Sequence, residues 1–536
     1  MPAPPVVRPR LPALHPRSPV AGVLTGVLAA VLLAAGLALV GPAPAGAAAV
    51  GCDGADEVIV LTDDAELDPT CRYTGGFEIV SSGVTLDCGG ARIVSDGPPG
   101  GRWGILVHAP VDVALSDVTV TDCTVEGFLN SVKITRDGFK GLPEGVEYEH
   151  AFADIRLEGN TFRGSTGVGV YVDGYVTGVT IEDNLITGTG SSGIYLETGS
   201  THSEVLGNRI VANGYRENGP DGQSFEVGGV PIWFWGVGRE GVAIDGSRFN
   251  TVAGNHFEGN SAGGVLLYKN CGEYPDSPRY FERRHGAHGN TIEGNRFVGE
   301  VNGVWVGSRM AENTLPMDCT DPAYIDEPLR RVVLDHASDN VVRANTFDDV
   351  TYGVRVEDDD VTVDANVFTG PEGNHPVVAG TPLRTEVLDR PVRGLRLTSN
   401  RSEVSHTPTP FRWIHGLDDT TDAGNTALGR VVPLCEGAEP PRSPFVFVIA
   451  LTGWDPGGPP PPTPPGLALP VLGPLDACPL PVDDPVPTVP VPPPNPTVTQ
   501  PSDPTPTSST AATTEATTAA ATAAAEPVVA VPRVTG

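Results

Sequence analysis

Through the middle of the chain, apolar and polar residues alternate in short runs closed by Asn, Asp or Gly. Alternation with a period of two marks β-strands, one set of side chains facing in and the next facing out. The runs recur. A turn signature centred on Asn appears at Gly159-Asn160-Thr161-Phe162, Asp183-Asn184-Leu185-Ile186, Gly207-Asn208-Arg209-Ile210 and Gly254-Asn255-His256-Phe257. It returns at Gly294-Asn295-Arg296-Phe297, Ala344-Asn345-Thr346-Phe347 and Ala365-Asn366-Val367-Phe368, with a degenerate copy at Ser399-Asn400-Arg401. The first copies lie 24 residues apart and a later pair 21. A second signature, Gly followed by alternating apolar residues, trails most of them: Gly169-Val170-Tyr171-Val172, Gly193-Ile194-Tyr195-Leu196, Gly264-Val265-Leu266-Leu267, Gly303-Val304-Trp305-Val306 and Gly353-Val354-Arg355-Val356.

Three short strands per repeat, with Asn and Gly at the corners, make one coil of a solenoid. In such a coil Asn takes left-handed backbone geometry and stacks its amide on the Asn of the next coil. The Phe or Ile after it stacks inside. A propeller would need units near 40 residues with Trp-Asp or Gly-His signatures. The pattern therefore predicts an all-β chain: a parallel β-helix of about eleven coils over residues 50–426. From these repeats, residues 52–405 resemble the pectate-lyase-like superfamily of right-handed parallel β-helix proteins. The front end, from Cys52 through Cys71 to Gly83-Val84-Thr85-Leu86-Asp87-Cys88-Gly89-Gly90, resembles the capped first coil of many secreted members. The resemblance implies a Cys52–Cys71 bridge. It speaks to fold more than activity, because one β-helix hosts lyases, hydrolases, epimerases and non-enzymatic proteins.

The ends differ from the middle. Residues 1–49 carry Arg8, Arg10 and Arg17, then an apolar run from Val20 to Val40, then a small-residue exit. That order reads as a secretory signal cut near Ala47 or Ala49. The alternative is an uncleaved anchor that spans the membrane with the β-helix outside. Residues 427–480 read as a small extension holding Cys435 and Cys478, and residues 481–536 as a disordered Pro-, Thr- and Ala-rich tail. Gly (66) and Pro (54) exceed a fifth of the 536 residues, which excludes an all-helical protein. The net charge of −32 without a basic block excludes nucleic acid as a partner. Eight cysteines, Cys52, Cys71, Cys88, Cys123, Cys271, Cys319, Cys435 and Cys478, all lie beyond the leader and favour disulfides in an exported monomer. Their spacing offers no zinc site.

Some coils are decorated. The step from Gly169 to Gly193 is 24 residues, but those from Gly229, Gly264 and Gly303 to the next such glycine are 35, 39 and 50. The excess is expected just after each Gly-Val strand, around 236–243, 271–286 and 310–332. Stacked loops at one corner form a wall, and insertions on one solenoid face often mark the binding face. Cys271 and Cys319 lie in two of these loops and are expected to bridge. Parity places an outward column beside the wall: Tyr171 and Asp173, Tyr195 and Glu197, Trp233 and Trp235, Tyr268 and Asn270, Trp305 and Arg309, Arg355 and Glu357. Aromatics interleaved with carboxylates, amides and Arg suit a sugar groove; the bland alternative is that they only pack under the loops.

Three readings compete for the chemistry. A lyase or epimerase acting on a uronic-acid polymer needs a base and a cation to neutralise the uronate. Lys269, one of only three lysines, and Arg309 sit at equivalent strand ends. They are similar in placement to the Lys base and Arg of an alginate- and chondroitin-cleaving group within the superfamily. In this reading Lys269 or Tyr268 is the base, Arg309 neutralises the substrate, and Tyr195, Trp233, Trp235, Asn270, Trp305 and Arg355 bind it. No Asp-Pro-His-Asp motif of the alginate epimerases is present. A glycoside hydrolase instead needs two carboxyls, drawn from Glu197 with Asp173, Glu357 with Asp358, or the loop acids Glu226, Glu240, Glu273 and Asp318. The third reading is a non-catalytic surface protein that binds a polysaccharide or cell-wall glycan. Neither a metal nor a cofactor is required, although Glu357-Asp358-Asp359-Asp360 is placed to hold Ca²⁺. His285, His288 and His336 read as structural.

Overall fold

The computed structural model describes residues 47–96, 103–227, 230–272, 280–310, 314, 317–327, 330–405, 409–437 and 446–449. The leader or anchor expected over residues 1–49 therefore lies almost wholly outside the described residues, as does the tail expected from 481. Among the described residues no helix is long and apolar enough to cross a membrane.

Each coil contributes one strand to each of three sheets. Ala153–Glu158 belongs to the first sheet, Thr161–Arg163 to the second and Val170–Val172 to the third. Val179–Glu182 then returns to the first sheet with Ile155 opposite Val179. Each sheet holds thirteen strands, and the pairing is parallel except where Thr426–Ala427 meets Arg430–Val431. The stack runs from Ala48–Val50 to Cys435–Glu436. It is longer than the eleven coils expected because both ends, including residues past 426, continue the pairing.

Alternation fills the interior. Ile181, Val205, Val252 and Ile292 of the first sheet and Val170, Ile194, Val242 and Val265 of the third are fully buried. From the second sheet, Phe257, Phe297, Phe347 and Phe368 stack with ring centroids 4.8 Å apart, one coil spacing.

The Asn ladder is present. The backbone N–H of Asn160 donates to Asn184 Oδ1 at 2.9 Å and its Nδ2 donates to the same oxygen at 3.0 Å. Asn208, Asn255, Asn295, Asn345, Asn366, Asn400 and Asn425 continue it. The left-handed geometry expected of Asn belongs instead to the residue before it: Gly159 (φ 68°), Asp183 (53°), Gly207 (61°) and Ala344 (54°). The bend is made one residue early, so the amide enters the corner aimed along the helix axis.

A second, shorter ladder runs Thr189, Asn213, Asn260 and Glu300. Glu300 Oε1 accepts from Asn260 N at 3.2 Å and Nδ2 at 2.7 Å, while Oε2 is buried without a partner. Burial pushes this carboxyl from an ordinary 4.5 up to about 8. A raised folded value means the stabilisation is present below the ordinary value and is lost as pH climbs through the folded one. Glu300→Gln should flatten that loss, by on the order of a few kcal/mol between acid and mildly alkaline solution. Urea unfolding of both proteins at the two ends of that range checks it.

The decoration differs from expectation at one coil. Gly229 lies outside the described residues, and the strand that follows it, Val230–Val237, is not a coil strand. Asn218–Val227 and Val230–Val237 form an antiparallel hairpin, joined by Val446–Ile449. The coil's own strand is Glu240–Asp245, with Val242 opposite Ile194. This insertion therefore precedes the third-sheet strand, whereas those around 271–286 and 310–332 follow it. Cys52–Cys71, Cys88–Cys123 and Cys271–Cys319 are bridged. Cys435 is also bonded, and Cys478 lies outside the described residues. Cys271–Cys319 joins the two following insertions across 48 positions. Replacing both by Ser should cost roughly 4 kcal/mol by the chain-entropy relation, read as a lower melting midpoint.

Candidate functional site

The outer face of the third sheet is built by repetition of one short string. Gly169-Val-Tyr-Val-Asp173, Gly193-Ile-Tyr-Leu-Glu197, Gly241-Val-Ala-Ile-Asp245 and Gly353-Val-Arg-Val-Glu357 each end in an acid. Strand pairing aligns Lys133, Tyr171, Tyr195, Ala243, Leu266, Trp305, Arg355, Val378 and Arg412 in one outward column. Two residues further along each strand, Asp173, Glu197, Asp245, Tyr268 and Glu357 form a second.

Two assignments of the expected column are corrected here. Trp233 and Trp235 lie on the antiparallel hairpin, because the coil strand starts at Glu240, and Ala243 takes their place. Tyr268 stands opposite Asp245, not beside Tyr195 and Trp305; Leu266 fills that position.

These columns are not an open groove. Tyr171, Tyr195, Leu266, Tyr268 and Trp305 form an apolar cluster of their own, each under a tenth exposed. The charged groups among them are buried in pairs. Lys133 Nζ lies 3.0 Å from Asp173. Glu240 accepts from Ser192 at 2.9 Å and Tyr268 at 3.1 Å and pairs with Arg239 at 3.2 Å. Glu197 accepts from the Tyr171 hydroxyl and pairs with Arg283. Asp245, one coil on, accepts from Tyr195 Oη at 2.6 Å and the Asn270 backbone N–H at 2.7 Å. The same Arg283 Nη1 lies 3.4 Å from Asp245. Desolvation pushes the Asp245 carboxyl above the usual range, against the pull of Tyr195 and the nearby arginines. It pushes the Tyr195 and Tyr268 hydroxyls up as well.

Lys269 and Arg309 are brought together. Asp335 accepts the backbone N–H of Lys269 at 2.6 Å and of Arg309 at 2.9 Å. Burial raises its carboxyl. Lys269 Nζ pairs with Asp321 and donates to Thr320 at 3.2 Å. Arg309 donates to Asn270 Oδ1 at 3.0 Å and covers the Tyr268 ring at 4.5 Å. His336, also paired with Asp321 at 3.3 Å, is raised by it. His285 packs edge-on against Tyr175 and burial lowers it to about 4. His288 Nδ1 lies 3.1 Å from the Ser338 hydroxyl.

Glu357 stands apart from Glu197. It accepts from Trp305 Nε1 at 3.1 Å and pairs with Arg355 at 3.1 Å. Arg355 also lies 3.6 Å over the Trp305 ring. Asp358 and Asp359, two of the three remaining acids of the Ca²⁺ expectation, are engaged by Arg384. Asp318 accepts from the Tyr280 hydroxyl at 2.9 Å. The side chains of Glu226 and Glu273 lie outside the described residues.

Sequence reasoning missed Asp245, Arg283 and Asp335. A signal for Asp245 was present: its string repeats those of Asp173 and Glu197, displaced only by the hairpin. Arg283 and Asp335 sit in irregular segments where no periodicity points to them.

The protein-family model described as a right handed beta helix region matches residues 103–316. With the three stacked parallel sheets, this gives the fold as a right-handed parallel β-helix. No curated protein matches its sequence. Among solved structures it is similar to the mannuronan C-5 epimerase A-module of Azotobacter vinelandii, at 14% identity, covering 72% of this chain and 93% of that one, TM-score 0.41. It is similar to the catalytic unit of a GH87 alpha-1,3-glucanase from Streptomyces thermodiastaticus, at 12% identity, 70% and 63% coverage and TM-score 0.43. An alginate lyase from Paenibacillus sp. gives 11% identity, 71% and 98% coverage and TM-score 0.32.

Proposed function

We propose that the protein is exported and cleaves the glycosidic bonds of an acidic polysaccharide, using Glu197 and Asp245 as its pair of carboxyls. The observation that carries this reading is their placement on adjacent coils against one guanidinium, Arg283. Adjacent coils stack at about 4.8 Å, near the roughly 5–5.5 Å separation of retaining glycosidases. Their surroundings also divide the two roles. Desolvation raises the Asp245 carboxyl, the direction a general acid needs, while Arg283 and Tyr171 stabilise charge on Glu197, as a nucleophile or base needs. Arg239, Arg283 and Arg309 around the pair suit a substrate that carries carboxylates. Substrate access requires the segment bearing Arg283 to lift, which exchanges its ion pairs for substrate.

A second reading is β-elimination by Lys269 with Arg309. The Asp335 clamp favours it, since it fixes both residues on neighbouring coils. Against it, Lys269 must first release Asp321 to serve as a base. The two are separated by variants: Lys269→Ala and Arg309→Ala abolish an unsaturated product if elimination occurs, while Glu197→Gln abolishes reducing-end release if hydrolysis occurs. Turnover that survives in Glu197→Gln and Asp245→Asn would overturn the preferred reading.

A further inference from the structure

Among the described residues, buried cations outside the interior are matched with acceptors, with one exception. Lys133, Arg239, Arg283, Arg355 and Arg384 each face a carboxylate. Arg136 donates to backbone carbonyls of Val111, Glu147, Glu149 and Tyr175. Arg412 is only 1% exposed and forms no ion pair among the described residues. Its Nη2 donates to His375 Nδ1, while Nε and Nη1 are buried without a hydrogen-bond partner. His375 supplies no charge, because burial and the two nearby arginines lower it to about 3 and leave it neutral. Tyr352 stacks on the His375 ring at 5.0 Å. An uncompensated guanidinium in such a place costs several kcal/mol. Nε and Nη1 each share an edge with Nη2, so a carboxylate on either edge meets one unpartnered nitrogen and the second hydrogen of Nη2.

We propose that Arg412, backed by His375 and Tyr352, is a carboxylate-binding site at the C-terminal end of the third sheet, taking the carboxylate of an acidic sugar. It lies on the outward column that carries Tyr195 and Trp305, two coils beyond Arg355. The choice of an acidic sugar rests on the substrate reading above. The chain itself carries another carboxylate for the test to separate: Gly437 lies against the Arg412 stem, and Glu439, two residues later in sequence, lies outside the described residues.

The test is equilibrium binding and melting of the full chain with an oligogalacturonate and with its methyl ester. The acid form should bind and raise the melting midpoint, and the ester should not. Arg412→Met should weaken binding at least about tenfold and, with no ligand, should melt no lower than wild type, since a buried unpaired charge is removed. Arg412→Lys, which keeps charge without the fork, should bind weakly too. Equal binding by wild type and Arg412→Met overturns the site. So does binding that appears only in Glu439→Gln, which would assign the guanidinium to the chain's own carboxylate. Binding without turnover would leave this site standing and remove the catalytic reading. Turnover with binding unchanged in Arg412→Met would do the reverse.

Discussion

Asp245→Asn should lower reducing-end release from an acidic polysaccharide by about 10²–10⁴-fold, the usual worth of a positioned general acid. Asn keeps the shape: its one oxygen takes the Asn270 N–H, and Tyr195, which binds the other carboxyl oxygen, can turn its hydroxyl to accept from the new amide, so the fold is retained while the transferable proton is lost. Glu197→Gln should be at least as severe, since it removes the charge that faces Arg283. The pH dependence follows from the direction of the Asp245 shift. Its raised value means the proton is held into mildly acid or near-neutral solution and is lost above it, so the alkaline limb of activity reports Asp245. That limb should vanish from the residual activity of Asp245→Asn. Initial rates across pH for the three proteins, with circular dichroism as the check on folding, decide it.

Asn295→Ala should destabilise the β-helix by about 1–3 kcal/mol, because it strips the buried backbone N–H of Asn255 of its acceptor. Asn295 Oδ1 accepts both the backbone N–H of Asn255 at 2.9 Å and its Nδ2 at 2.9 Å. Its own Nδ2 donates to Val252 O at 2.8 Å and Asn345 Oδ1 at 3.0 Å. No solvent reaches the corner, as Asn255, Asn295 and Asn345 are at most 1% exposed. Asn295→Asp retains an acceptor for Asn255 but brings a charge into the ladder and cannot donate onward, so it too should be costly. A surface change at the next residue, Arg296→Ala, breaks only an exposed pair with Asp348 and should cost under about 1 kcal/mol. Urea midpoints of the three variants make the comparison.

The coil repeat was legible because it is enforced at every turn: Asn must reach the next Asn, and Phe the next Phe. Cys271 and Cys319 were readable for the same reason, since both insertions follow equivalent strands. The hairpin misled because Gly229-Val230 imitates the opening of a coil strand, and its alternation continues through Ile232 and Phe234. Only the pairing of Val242 with Ile194 and Val265 shows which strand the coil uses. Parity gave the facing of Tyr195, Glu197, Trp305 and Glu357 but not their burial, because parity describes a strand and burial depends on what folds over it. Arg283 and Asp335 reach the site from irregular chain, where contacts are set by tertiary packing alone.

The most direct test of the proposed activity follows reducing ends and the ultraviolet absorbance of an unsaturated uronate together, with the purified chain acting on acidic and neutral polysaccharides. Hydrolysis at Glu197 and Asp245 predicts reducing ends from the acidic polymer with no rise in absorbance, lost in Glu197→Gln. A rise in both signals that survives Glu197→Gln and disappears in Lys269→Ala would contradict it, as would silence of both signals on every polymer.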